Sequence, residues 1–228
     1  MRSPIFIGYD PKEKLAFEVC RWSVMKKSKM NVFRLFSENI PYYCRDFGEP
    51  QSTDFTFTRF LVPYLCNYEG YSIFCDSDFL FLDDPQKLID IASDNPEKAV
   101  HVVKHPNYVP KSKLKMDGKP QHQAPRKNWA SLMVFNNSHP ACKALTLDYI
   151  NTHPRGRDFH DMTWVKDDEI GSLPLEWNCL DGYYDLEHPH AIHYTDGGPW
   201  HGIVNTQYSS LWEDMLKDYN ENTIPSSC

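Results

Sequence analysis

The chain has no uninterrupted apolar run of the roughly 18 residues that crossing a membrane requires. Its opening, residues 1–10, is too short for a signal-peptide core and offers no small-residue cleavage site. It has no CxxC pair. Seven cysteines stand apart at positions 20, 44, 66, 75, 142, 179 and 228, an odd and scattered set that argues against a disulfide framework and a zinc cage. Reduced thiols in a cytoplasmic setting are expected. It has no excess of positive charge, with 24 Lys and Arg against 31 Asp and Glu, so nucleic acid is not an expected partner. A Gly-rich phosphate loop near the N-terminus, internal repeats and low-complexity tracts are also missing.

What remains is the composition of an ordinary globular protein, 228 residues of which 41% are hydrophobic. One domain is expected over residues 1–216, with 217–228 as a frayed tail. β-Branched and aromatic runs at 4–9, 31–36, 71–75, 99–103, 131–135 and 191–194 read as strands. Helix-length segments separate them, which predicts an α/β fold with helices on both faces of a central sheet. Asp10-Pro11-Lys12-Glu13 matches a capped helix start, and Leu15, Val19 and Trp22 then share a helical face. Further helices are expected over 57–66 and 140–152. From Lys104 to Lys127 the periodicity fails. Four prolines, one glycine and seven basic residues mark a long loop. Its Lys111, Lys113, Lys115, Lys119, Arg126 and Lys127 either fold over an anionic ligand or keep the loop solvated.

The sharpest chemical feature is Asp76-Ser77-Asp78, flanked by Ile73-Phe74-Cys75 and Phe79-Leu80-Phe81-Leu82. Two carboxylates two residues apart at a strand end sit where an α/β sheet presents ligands. Alternation puts both on one side and turns Ser77 away, so the pair can share Mg²⁺ or Mn²⁺. Acids inside so apolar a run need a partner. A second feature is Ala191-Ile192-His193-Tyr194-Thr195-Asp196-Gly197-Gly198-Pro199-Trp200. There an imidazole ends a strand, and two glycines let bare amides approach phosphate.

Together with Thr58-Arg59-Phe60-Leu61-Val62-Pro63 ahead of the acidic pair, these segments resemble the GT-A glycosyltransferases of the glycogenin and bacterial lipopolysaccharide galactosyltransferase kind. The resemblance runs from the first strand to about Trp200. It implies a mixed central sheet and a metal site of Asp76, Asp78 and His193 holding Mn²⁺ (or Mg²⁺) against the diphosphate of a UDP-sugar. It implies nucleotide-sugar contacts from Gly8, Tyr9, Asp10, Arg59, Ser77, Gly197, Gly198 and Trp200, with Asn128 and Ser131 loosely matching the family's sugar-binding segment. It puts Asp168 and Glu169 beside the reacting carbon, as positioning groups in a retaining enzyme or as the base in an inverting one, and retention is the family's pattern.

Plainer readings stand beside these. Asp10 is either a helix cap or a nucleotide contact, Tyr9 either stacks on a base or ends the strand in the core, and Trp177-Asn178 either covers a sugar face or is ordinary packing. Arg59, on an apolar face, needs an anion and takes it from the acidic pair or the donor. Lys104 is a further candidate anion contact. The expected activity is transfer of a sugar to a hydroxyl acceptor. Its competitors are a nucleotidyltransferase and a binding protein without turnover.

Overall fold

The computed structural model describes residues 3–48, 51–106, 109, 126–204 and 206–223. Among the described residues nine strands form two sheets. They are β1 (Pro4–Gly8), β2 (Asn31–Leu35), β3 (Tyr71–Cys75), β4 (Phe79–Phe81), β5 (Val100–Val103), β6 (Leu132–Asn136), β7 (Ile170–Leu173), β8 (Cys179–Leu180) and β9 (Ala191–His193). Six make a mixed sheet in the order β2-β1-β3-β6-β5-β7, with β6 antiparallel to both neighbours. The other three make a small sheet, β4-β9-β8.

The apolar character of the central strands follows from burial on both faces. Alternate residues serve opposite layers. Ile5, Ile7, Ile73, Cys75 and Val134 face α1 (Lys14–Lys27), while Phe6, Phe74, Met133 and Phe135 face the other way. That second layer comprises a 3-10 turn over Thr58–Leu61 running into α2 (Val62–Leu65). On the first face α3 (Gln86–Ser93) lies beside α1; on the second lie α4 (Pro140–Lys143), α5 (Leu147–Thr152) and α6 (Arg157–His160). The last helix, α7 (Ser209–Thr223), sets Trp212 against Val19, Leu80 and Ile192 behind the small sheet.

The mixed α/β architecture and six of its strands match the sequence reading to within a residue or so. Other expectations need correction. Residues 217–223 are not frayed: they complete α7, and Asp218 accepts hydrogen bonds from Trp22 Nε1 (2.6 Å) and Lys26 Nζ (2.8 Å). The face α1 buries is Ala16, Phe17, Val19, Cys20 and Val24, and Leu15 is exposed. The expected helix over 140–152 is two, since Thr146 caps α5 by accepting from Tyr149 N. All six described cysteines are free. Among the described residues no helix is long and apolar enough to cross a membrane.

Candidate metal and ligand site

The parallel strands β1 and β3 end at Gly8 and Cys75, and β6 begins alongside them. A cleft of about 570 Å³ opens at this edge, lined among others by Asp10, Glu13, Arg59, Asp76, Ser77, Asp78, Asn128, His193, Gly197 and Trp200. It is where the sequence placed it, outside the carboxyl ends of the parallel strands.

Asp76-Ser77-Asp78 is a turn between β3 and β4 rather than the tip of one strand. Two different sheets hold it. Asp76 N donates to Ser131 O (2.9 Å) at the head of β6, whereas Asp78 O accepts from Tyr194 N (3.0 Å), just past β9. The antiparallel register pairs Phe79 with His193, and the imidazole stacks on the Phe79 ring with centroids 4.5 Å apart. Strands from distant parts of the chain thereby bring Asp76, Asp78 and His193 together, each offering a ligand atom within 4.8 Å of the others. His193 Nε2 lies 3.4 Å from Asp78 Oδ1, a buried oxygen with no hydrogen-bond partner among the described residues. Two carboxylates and an imidazole are the donor set that Mn²⁺ or Mg²⁺ accepts, and buried acceptors facing one another are what such an ion satisfies.

Arg59 braces this cluster from below. Its Nη1 is 2.8 Å from Asp76 Oδ1 and donates to Ala130 O (2.9 Å), while the guanidinium lies over the Phe55 and Phe74 rings. Burial pulls the guanidinium below its ordinary value, and Asp76 and Asp78 oppose that shift. The anion that a buried arginine requires is thus the acidic pair itself.

Asp10 is a cap as well as a cleft residue. Its two carboxylate oxygens accept from Lys12 N (2.9 Å) and Asp54 N (3.1 Å). Tyr9 packs edge-on against Phe17 and Phe36 beneath the Arg34 guanidinium and does not line the cleft. Gly8 is required by close approach, because a Cβ there would meet the Phe55 ring at 2.4 Å. Gly198 likewise makes room for the Trp200 ring, and Gly197 takes φ +96° at the cleft wall. Two donors at the cleft, Asn128 Nδ2 and Trp200 Nε1, are buried without a hydrogen-bond partner among the described residues. Ser131 sits behind the wall against Asn178 and His193.

Several expectations are overturned. Asp168 and Glu169 precede β7, and their carbonyls accept from Lys98 Nζ (2.9 Å) and Ala99 N (2.8 Å) at the start of β5. They therefore stand at the amino ends of strands whose carboxyl ends face the cleft, and neither lines it. Ser77 does not turn away: it lines the cleft, and its Oγ donates to Glu13 Oε2 (3.2 Å). Lys104 Nζ is directed to Ile170 O (2.9 Å) instead of the cleft, where Lys127 stands. Lys111, Lys113, Lys115 and Lys119 lie outside the described residues.

Sequence reasoning missed Glu13 as a cleft residue and, for Asn178, weighed only a sugar-face or packing role. Glu13, taken as part of a cap, faces the acidic turn, and burial followed by the charge of Asp78 lifts its carboxyl to about 7. Its placement three residues after Asp10, hence on the same helical face, was the available signal. Asn178 is buried with Oδ1 2.9 Å from His193 Nδ1. Only its contacts reveal that pairing.

No family model matches the chain. Solved structures with similar folds include the glycosyltransferase GlyE of Streptococcus pneumoniae, at 16% identity and TM-score 0.65 over 97% of this chain and 63% of that one. The galactosyltransferase LgtC, solved with donor and acceptor sugar analogues, superposes at TM-score 0.64 and 12% identity over 98% of both chains. The bifunctional glycosyltransferase WbbM matches at TM-score 0.61 and 17% identity, and the chain spans 51% of its length. These likenesses establish a GT-A-like fold. In sequence the chain is 38% identical over 229 aligned positions to Protein CDI of Arabidopsis thaliana, covering 95% of this chain and 87% of the relative. A GT-A-like domain with an Asp-Asp-His cluster at its cleft, this chain belongs to the family of Protein CDI.

Proposed function

We propose that the protein is a metal-dependent glycosyltransferase that takes a sugar from a UDP-sugar and passes it to a hydroxyl acceptor. The observation that carries this reading is the convergence of Asp76, Asp78 and His193 in a cleft, with Asp78 Oδ1 buried, without a hydrogen-bond partner among the described residues, and facing a ring nitrogen. Asp76, Asp78 and His193 would hold Mn²⁺ or Mg²⁺, which supplies a Lewis acid for the charge that develops on the departing diphosphate.

The chain's own residues prepare the cleft for that ligand. Arg59 fixes Asp76 and offsets part of the negative charge around it. Asn128 Nδ2 and Trp200 Nε1 present buried donors, without a partner among the described residues, that a ligand oxygen would satisfy. Gly197 allows backbone to approach the ligand closely, Gly198 makes room for Trp200, and Lys127 adds positive charge at the rim. Glu13 and Asp10 give the opposite wall its acceptors.

Retention of configuration is our reading of the stereochemistry, on the resemblance described above. It does not draw on Asp168 or Glu169.

The test incubates the protein with UDP-sugars and Mn²⁺. We expect UDP release that requires the ion and falls about 100- to 1,000-fold in Asp78→Ala with circular dichroism unchanged. Pyrophosphate release from a nucleoside triphosphate, or binding without turnover, would overturn the assignment. The anomeric proton signal of the product reads the stereochemistry directly.

A further inference from the structure

Behind the cleft, four residues form a hydrogen-bonded chain whose shortest contacts select one placement of the hydrogens, the 2.6 Å contact of Ser131 Oγ with Asn128 O outcompeting its 3.4 Å contact with His193 Nδ1. It begins at the Asn128 carbonyl oxygen, which can only accept. Ser131 Oγ donates to it at 2.6 Å, and Asn178 Nδ2 lies 3.4 Å from it. The single Ser131 hydroxyl hydrogen being used there, Ser131 Oγ can only accept from Asn178 Nδ2 at 3.0 Å. The Asn178 amide nitrogen is thereby fixed toward Ser131, and its oxygen must face His193 Nδ1, 2.9 Å away. An amide oxygen cannot donate, so Nδ1 carries a hydrogen. In the neutral ring Nε2 then offers a lone pair toward Asp78 Oδ1 at 3.4 Å.

We infer that Asn178 is a positioning residue whose amide, locked by Ser131 and the Asn128 carbonyl, holds His193 in the Nδ1–H tautomer and so keeps the Asp76/Asp78/His193 cluster open to a divalent cation. The inference rests on the cation reading above and deepens it. In the other tautomer Nε2–H would donate to Asp78 Oδ1, and the imidazole would have no lone pair to offer the ion. The chain also explains the residue types. A hydrophobic side chain at 178 would leave Nδ1–H with only the longer contact to Ser131 Oγ at 3.4 Å, and Asn178 and Ser131 are 0% and 4% exposed, beyond the reach of water to substitute. Partners of this kind on the remote nitrogen of a metal-binding imidazole fix ring orientation and basicity, and losing one weakens metal affinity about 10- to 100-fold.

Two measurements test this. In metal-free protein labelled with ¹⁵N-histidine, two-dimensional NMR reads which nitrogen of His193 carries the hydrogen, with the signal assigned by its loss in His193→Gln. Hydrogen on Nδ1 supports the inference and hydrogen on Nε2 alone overturns it. Mn²⁺ binding, followed by the electron paramagnetic resonance of the free ion, should weaken about 10- to 100-fold in Asn178→Leu. Asn178→Asp, which keeps an oxygen toward Nδ1, should recover most of that loss. Equal affinity in wild type and Asn178→Leu overturns the inference. Should Asn178→Leu fail to fold, Ser131→Ala removes the hydroxyl that orients the amide and carries the same comparison with a smaller expected loss. A wild-type protein with hydrogen on Nδ1 that binds no Mn²⁺ supports the tautomer assignment and sinks the cation reading, so the two fail separately.

Discussion

Two acidic runs in this chain adjoin strands of the same sheet, yet they do different things. Asp76-Ser77-Asp78 follows β3, and Asp167-Asp168-Glu169 precedes β7. The first run leaves its sheet at the carboxyl end. There its side chains are only 18% and 20% exposed at positions 76 and 78, and meet Arg59 and His193. The second enters at the amino end, where Asp167 is 84% exposed beside Arg126 and the Glu169 carboxylate accepts from Lys166 N (3.2 Å). The polarity of the neighbouring strand, more than the number of acids, decides whether an acidic run can serve a ligand.

The largest effect that would sharpen this contrast is catalytic. Asp78→Ala should lower sugar transfer about 100- to 1,000-fold, the scale of losing one stabiliser of developing charge. Asp168→Asn and Glu169→Gln should leave it within about twofold. UDP release measures all three, and a loss in the latter pair equal to that of Asp78→Ala would break the distinction.

Stability should follow the same division. Arg59→Ala leaves the half-buried Asp76 without its guanidinium and should cost about 3–5 kcal/mol in urea denaturation. At the other end of the sheet His101 is 1% exposed with neither ring nitrogen hydrogen-bonded among the described residues, and burial lowers it from the usual range to about 4. Folding favours its neutral form. The stabilisation is therefore complete above the unfolded value near 6.5 and is lost as pH falls from there toward about 4, amounting to about 3 kcal/mol at most. Urea midpoints at pH 7 and 4.5 should show this component, and His101→Phe should remove it. Smallest of all, Asp167→Asn breaks an exposed pair with Arg126 and should change stability by less than about 1 kcal/mol.

The sequence carried much of this arrangement where local pattern sufficed. Strands with continuous apolar runs, such as Tyr71–Cys75, were legible because both faces are buried. Three short strands were not: Phe79–Phe81 and Cys179–Leu180 are too brief to show a period, and Ile170–Leu173 contains Gly and Ser. The acidic pair, Arg59 and His193 stood out because charged or polar groups in apolar surroundings demand partners. The place of Asp168 and Glu169 was misread because their pattern is that of a strand border, and which border depends on β5–β7 pairing that no local window contains. Asn178 was singled out, but its contact with His193 was illegible for the same reason, since residues 128, 131 and 193 lie far from it in sequence.

The three candidate ligands do not share one scaffold. Asp76 is anchored to the head of β6 in the large sheet, while Asp78 and His193 are registered to each other through β4 and β9 in the small one. An ion gripped by all three would act as a rivet between two separately hydrogen-bonded layers. Chelation would then do more than stop turnover: it would loosen the seam along which the layers meet, and a single unfolding transition would broaden as the small sheet began to come away first.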